Sequence, residues 1–487
     1  MRYSLQSSLH GTEKSTMTLL PRSLNPRSSK RLPRWISPRY MVLAILCLVA
    51  SVHGSALAGE NTSVHELPSL RARAEIIDTV LEERINNVLP MIMERSDVDL
   101  WVVMSREYNE DPVLKTLLPA DWMSARRHTM LVMHNPGEGA PIEALAVSRY
   151  GVGDLFTQAW NKEEQPDQWA ALAKVIAERS PEVIAINKDA HFALADGMSA
   201  SEYEQFIAVL TAEQREKLVS SRALAIGWLE TRSESELKIF RQLVGIGHEL
   251  IARAFSNEVV TPGVTTTDDI AWWLREQSAA LNMGNWFHPS VSLQRFDNTE
   301  FDQITAFSNS VDENVIYPGD LLHVDFGLSY LRLHTDQQQH AYVLKPNETN
   351  VPESLVNALA QGNLLQDILM DGFETGITGN ALLAQSLEQA SEAGLKPTIY
   401  THPLGLHGHA AGPTIGMWDA QEGVPVVGDY PVYPNTAYSI ELNVAVNIPE
   451  WDNQEIRIML EEDAFFDGES IEFLSGRQTQ LHVIEAN

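Results

Sequence analysis

An α/β segment followed by a larger, mixed α+β segment is the class this sequence predicts. Three observations carry that expectation. Short apolar runs of strand length alternate with helix-period stretches between residues 70 and 186. A new long helical stretch opens near Ser233, after a break at 224–235. Beyond it, apolar runs carry acidic residues singly or in short groups: Asp325, Asp336, Glu441, and Glu461-Glu462-Asp463. The expected division is a leader over 1–58, an α/β unit over 65–228 and a second unit over 233–487, since 487 residues exceed one ordinary core.

The leader comes first. Arg31, Arg34 and Arg39 precede the apolar run Met41–Ala50, and Ala56-Leu57-Ala58 offers a small-x-small cleavage site before Gly59. Basic region, short apolar core and cleavage site together describe a secretory signal peptide. Met17 or Met41 are alternative starts. The run is too short to span a bilayer comfortably, so no anchor is expected after cleavage. The expected compartment is therefore the periplasm or the exterior. The only cysteine, Cys47, lies in the leader, so the mature chain has no disulfide and no thiol nucleophile.

From Leu70 to Met93, Ile76, Ile77, Val80, Leu81, Ile85, Val88 and Leu89 recur at helical period. Asp99–Met104, Thr129–Met133, Ala144–Val147 and Val183–Ile186 read as buried strands, with a helix from Trp169 to Arg179 between the last two. Ser233-Glu-Ser-Glu is a capping box leading into Ile239, Leu243, Ile246 and Ile251. Thr261-Pro-Gly-Val-Thr265 then turns the chain into a helix over Asp269–Leu281.

Charge excludes several functions. Beyond residue 58 the chain holds 27 basic residues against 64 acidic ones, a net charge of −37. Nucleic-acid binders are basic, and an anionic membrane would repel this surface. The ordinary reading of such a balance is solubility.

The chemistry lies in the second unit. His323-Val-Asp325-Phe-Gly327 predicts a strand and turn, and His334-Thr-Asp336 the start of a returning strand. Such a hairpin brings two carboxylates together in an apolar sheet, a costly arrangement that a shared divalent cation relieves. Downstream lie His402-Pro-Leu-Gly-Leu-His407-Gly-His409, Ser439-Ile-Glu441 and Met459-Leu-Glu461-Glu462-Asp463. Four carboxylates and one imidazole suit Mn, Co, Fe or Zn pairs better than a thiolate site does. Asp320, in Pro-Gly-Asp, is expected to be a turn residue. His334 and His340 are expected to be structural.

In these motifs and their order the chain resembles the pita-bread metallopeptidases, the family of aminopeptidase P, prolidase, methionine aminopeptidase and the metal-free creatinase. The resemblance covers roughly residues 65 to 487. It implies a creatinase-type α/β domain before a pita-bread catalytic domain, two divalent ions with Mn foremost, and a homodimer acting on a small peptide, with proline-containing peptides as candidates. It also implies the ligands. Asp325 and Asp336 match the aspartate strands and Glu441 the first glutamate strand. The family frame places the last ligand directly before an Asp, which selects Glu462. The histidine pattern, a small residue, His, two residues, then Gly, selects His409 over His407, leaving His402 and His407 to orient substrate. Glu441 is the implied proton shuttle.

Two departures qualify the resemblance. A catalytic histidine expected seventeen residues before the first aspartate is replaced by Ser308, and another expected seven residues after the histidine ligand by Gly416. His288 or His407 is then expected to take over that work. Two rival readings stay open: a creatinase-like hydrolase of a non-peptide C–N bond, and a non-catalytic binding protein on a degenerate peptidase frame.

Overall fold

The computed structural model describes residues 67–137, 139–296 and 314–486. The leader, its cleavage site, Cys47 and Ser308 lie outside the described residues. All described residues belong to one compact unit.

The helix-period stretch at 70–93 is helical from Leu70 to Arg95, with one π-helical turn over Arg84–Val88. The four expected strands all form. With two more they build a six-stranded sheet: β1 (Leu100–Arg106), β2 (His128–His134), β3 (Glu143–Ala146), β4 (Thr157–Gln158), β5 (Ile184–Ile186) and β6 (Leu218–Ser220), in the order β4-β3-β2-β1-β5-β6. β1 pairs antiparallel with β2 and parallel with β5. Both faces of β1 are buried, which is why its sequence is apolar without alternation.

Ser233 caps the helix Glu234–Ala254 with the expected box, its hydroxyl accepting from the Glu236 amide. A helix over Thr267–Ala280 follows, close to the predicted span. The remaining strands are β7 (Ser290–Gln294), β8 (Leu321–Phe326), β9 (Ser329–Tyr330), β10 (Leu333–His334), β11 (Gln337–Val343), β12 (Pro397–Ile399), β13 (His402–Leu404), β14 (Thr436–Ser439), β15 (Leu442–Ile448), β16 (Gln454–Leu460), β17 (Asp463–Phe466), β18 (Ile471–Phe473) and β19 (His482–Ile484). They form sheets β19-β11-β8-β7, β12-β15-β16 and β13-β14-β17-β18, with β9-β10 as a small hairpin. The helices Glu353–Asp371 and Gly379–Glu392 share a buried core with the three-stranded sheet.

Two features of this fold position the site. Three stretches of chain, 397–404, 436–448 and 454–466, each cross between the three-stranded sheet and the β13-β14-β17-β18 sheet at the same level, near residues 400–401, 440–441 and 461–462. His402, Glu441 and Glu461 lie at or beside those breaks. Second, the turn joining β9 to β10 holds Leu331 and Arg332 at positive φ, 50° and 70°. Arg332 donates to the Thr116 and Leu118 carbonyl oxygens at 3.1 and 2.6 Å. The first half of the chain is thereby tied to the hairpin that precedes Asp336.

Candidate metal centre

β8 and β11 pair antiparallel, as the two-aspartate hairpin requires, with Asp325 opposite Gln338. Asp336 sits two residues before Gln338, so the alternation of a strand puts Asp325, Gln338 and Asp336 on one face. The Asp336 amide donates to Asp463 Oδ1 at 3.1 Å. Asp320 behaves as the expected turn residue, accepting from Arg295 and from the Tyr317 amide.

Around these aspartates the breaks in the long strands contribute His402, Glu441 and Glu461. Three overlapping groups have ligand atoms all within 4.8 Å of one another: Asp325, Asp336 and Glu461; His402, Glu441 and Glu461; and Asp336, His402 and His409. His402 Nε2 lies 3.5 Å from Glu461, 3.6 Å from Asp336 and 3.9 Å from Glu441. Its Nδ1 is held 3.0 Å from the Pro403 carbonyl oxygen.

Electrostatics mark this cluster as incomplete by itself. Burial, reinforced by repulsion from Glu461, raises Asp325, Asp336 and Glu441 well above the ordinary carboxylate range. Burial alone would lower His402, but the neighbouring Glu461 outweighs it and raises the imidazole to about 9. Asp325 Oδ1, Asp336 Oδ1 and His402 Nε2 are buried with no hydrogen-bond partner. Buried polar atoms are normally satisfied, so three such orphans in one cluster fit residues that hold a cation. The donor set, four carboxylates and one imidazole, fits hard to intermediate divalent ions.

One expected ligand, Glu462, is therefore corrected, and another, His409, takes second place to His402. Glu462 faces away from the cluster. It accepts from Gln339 Nε2 at 2.9 Å and the Gln478 amide at 3.0 Å, and lies 2.5 Å from His248 Nε2. Successive residues of an extended chain point to opposite sides, so Glu461 and Glu462 cannot both reach the aspartates. Glu461 does so, anchored by Ser439 Oγ at 2.5 Å and Gln338 Nε2 at 2.7 Å. The sequence signal was present: Glu461 and Asp463, two apart, share the inward face.

The central imidazole is His402, which belongs to two of the three groups, whereas the expected His409 belongs to one, beside Asp336 and His402. His402-Pro-Leu-Gly405 also has the His-x-x-Gly spacing, and only the Thr401 before it departs from a small residue. This shift of seven residues carries the second expected histidine from Gly416 to His409. His409 is exposed, and it lies edge-on to the His402 ring at 4.8 Å and the Trp286 ring at 5.0 Å. It stands at the open side of the cluster, where the sequence argument had left a gap.

His288 and His407 do not join any of the three groups. His288 packs against Trp272 with ring centroids 5.1 Å apart. His407 stacks on His334 at 6.5 Å, and burial lowers it to about 4. Trp286, two residues before His288 and not among the expected site residues, walls the site: its indole N–H donates to the Thr335 carbonyl at 2.9 Å. A Cβ on Gly327 or Gly408 would meet that indole at 2.3 Å, so both glycines make room for it.

Comparisons with known proteins bear on the family and the fold. Residues 238–466 match the family model of metallopeptidase family M24. The fold is similar to an X-Pro aminopeptidase from Thermotoga maritima, with TM-score 0.56 and 17% identity over 80% of this chain and 99% of that one. It is also similar to an Xaa-Pro dipeptidase from Bacillus anthracis, with TM-score 0.53 and 16% identity over 85% and 100%. A dipeptidase from Mycobacterium ulcerans gives TM-score 0.55 and 16% identity over 84% and 98%. No curated protein sequence matches the chain.

Proposed function

We propose that the chain, whose residues 238–466 match metallopeptidase family M24, is an exported two-metal hydrolase that cleaves peptides beside proline. The observation that carries this reading is that Asp325, Asp336 and His402 each have a buried, unpartnered atom and belong to overlapping ligand groups joined through Asp336, His402 and Glu461. Asp325, Asp336, His402, Glu441 and Glu461 are the residues that would hold the ions. Divalent ions bound there supply Lewis acidity toward a carbonyl and bring the pKa of water down toward neutrality.

The chain's own groups divide the remaining work. Glu441 is mostly buried but keeps 12% of its side chain exposed, so its carboxylate can take a proton from water and pass it to a leaving amine. His409, exposed beside His402, is placed to donate toward a substrate carbonyl oxygen. Trp286 fixes the His409 ring from one side and keeps water from that side of the bond. The proline preference rests on the likeness to the X-Pro aminopeptidase and the Xaa-Pro dipeptidase.

Elemental analysis and a peptide panel test the reading together. The expected outcome is about two divalent ions per chain and faster cleavage of Xaa-Pro peptides than of their alanine counterparts. Cleavage of only non-peptide C–N bonds would move the assignment to a creatinase-like hydrolase. Bound ions without any turnover would favour a binding protein. Export is proposed from the leader, and a mature N-terminus at Gly59, read by N-terminal sequencing, is its check; an intact leader on cytoplasmic protein contradicts it.

A further inference from the structure

Gln338 occupies an unusual position within the cluster. On one side it pairs with Asp325 in the β8/β11 ladder. On the other its backbone exchanges hydrogen bonds with Glu461, at 2.9 and 3.3 Å. Its side chain is buried, and the one amide nitrogen donates both protons to carboxylates: to Glu441 Oε1 at 2.6 Å and Glu461 Oε2 at 2.7 Å. The amide oxygen is 2.9 Å from His323 Nε2. An amide oxygen only accepts, so that hydrogen bond places the imidazole proton on Nε2. His323 is itself buried, so its ring is held in place against the amide.

These contacts run in one direction, from His323 to Gln338 and on to the two glutamates. Each glutamate surrenders one oxygen to the amide. The other oxygens, Glu441 Oε2 and Glu461 Oε1, are the ones within 3.9 and 3.5 Å of His402 Nε2. The amide thus decides which oxygen each carboxylate turns toward the cluster, and it spreads two positive N–H dipoles over groups that repel each other. We propose that Gln338 is a positioning residue, clamped by His323, that presets the Glu441 and Glu461 carboxylates for divalent ions. This rests on the reading that the cluster holds such ions.

The test compares the full-length parent with Gln338→Met, which keeps length and volume but donates nothing, and with His323→Leu, which frees the amide to rotate without touching either glutamate. Mn²⁺ affinity is measured by calorimetry on chelator-treated protein, and the visible absorption bands of the Co²⁺-loaded protein report ligand geometry. The loss expected for Gln338→Met is about ten- to a hundredfold in Mn²⁺ affinity, as for other groups that orient metal ligands. Its Co²⁺ bands should shift. His323→Leu should move both readouts the same way by less. Parental affinity and unchanged bands in Gln338→Met would overturn the proposal. If that variant does not fold, parental values in His323→Leu overturn it. A parent that binds neither ion overturns the two-metal reading itself and this inference with it, whereas a parent that binds beside unaffected variants overturns only the role of Gln338.

Discussion

At the scale of single residues, neighbouring side chains in one motif have opposite fates. His402 faces three carboxylates, while His407, five residues on, packs against His334. Glu461 takes hydrogen bonds from Ser439 and Gln338 within the cluster, while Glu462 is engaged by Gln339, Gln478 and His248 behind it. Removing an inward group and removing its outward neighbour should therefore give different phenotypes. His402→Ala and Glu461→Gln are expected to lose at least one divalent ion per chain. Glu462→Gln is expected to keep full occupancy. His409→Ala should keep both ions yet lose about a hundred- to a thousandfold in rate, the usual effect of deleting one donor to a developing oxyanion. Elemental analysis beside steady-state kinetics separates these outcomes. Metal loss from Glu462→Gln with full occupancy in Glu461→Gln would reverse the assignment. Undiminished turnover in His409→Ala would remove that histidine from the chemistry.

At the scale of elements, the strands and helices were legible because their signals are local. Apolar runs such as Leu100–Met104, the Ser233 capping box and the Asp325 hairpin each depend on residues close in sequence. What escaped was the break in each long strand. Near residues 401, 441 and 461 the chain passes from one sheet to another, and the inward residue there is chosen by the bend. Glu461 and Glu462 both sit between β16 and β17, so the strand pattern alone left either of them facing in. The histidine was missed for a related reason. His402 opens β13 directly after such a break, and Thr401, whose hydroxyl donates to the Glu441 carbonyl at 2.9 Å, stands where a small residue was expected. A threonine there ties the two breaks together. Gln338 was invisible for a third reason, because nothing local distinguishes it from Gln337 and Gln339; only pairing with Glu461, 123 residues away, gives it a role.

At the scale of the whole molecule, a metal-free cluster is a liability whose size depends on pH. Asp325, Asp336 and Glu441 titrate above their unfolded values because they are buried beside Glu461, and His402 is raised to about 9. The sign is the same for all four. A group whose folded pKa is raised gives its full stabilisation below the unfolded value and loses it as pH rises through the folded value. The unfolded values are about 4 for the carboxylates and about 6.5 for histidine. Chelator-treated protein should therefore melt at progressively lower temperature over roughly pH 6 to 9. Asp111 and Glu230, raised by burial to about 6 and about 7, tilt the curve the same way, but they lie outside the three ligand groups and act equally with ions bound. The difference between chelated and Mn²⁺-loaded melting curves isolates the cluster. That difference should widen with pH, because ions replace protons that become harder to hold, and ion uptake should release protons measurable by calorimetry in two buffers of unlike ionisation enthalpy. A gap between the curves that stays constant or narrows as pH rises would mean that these carboxylates are not the groups the ions neutralise.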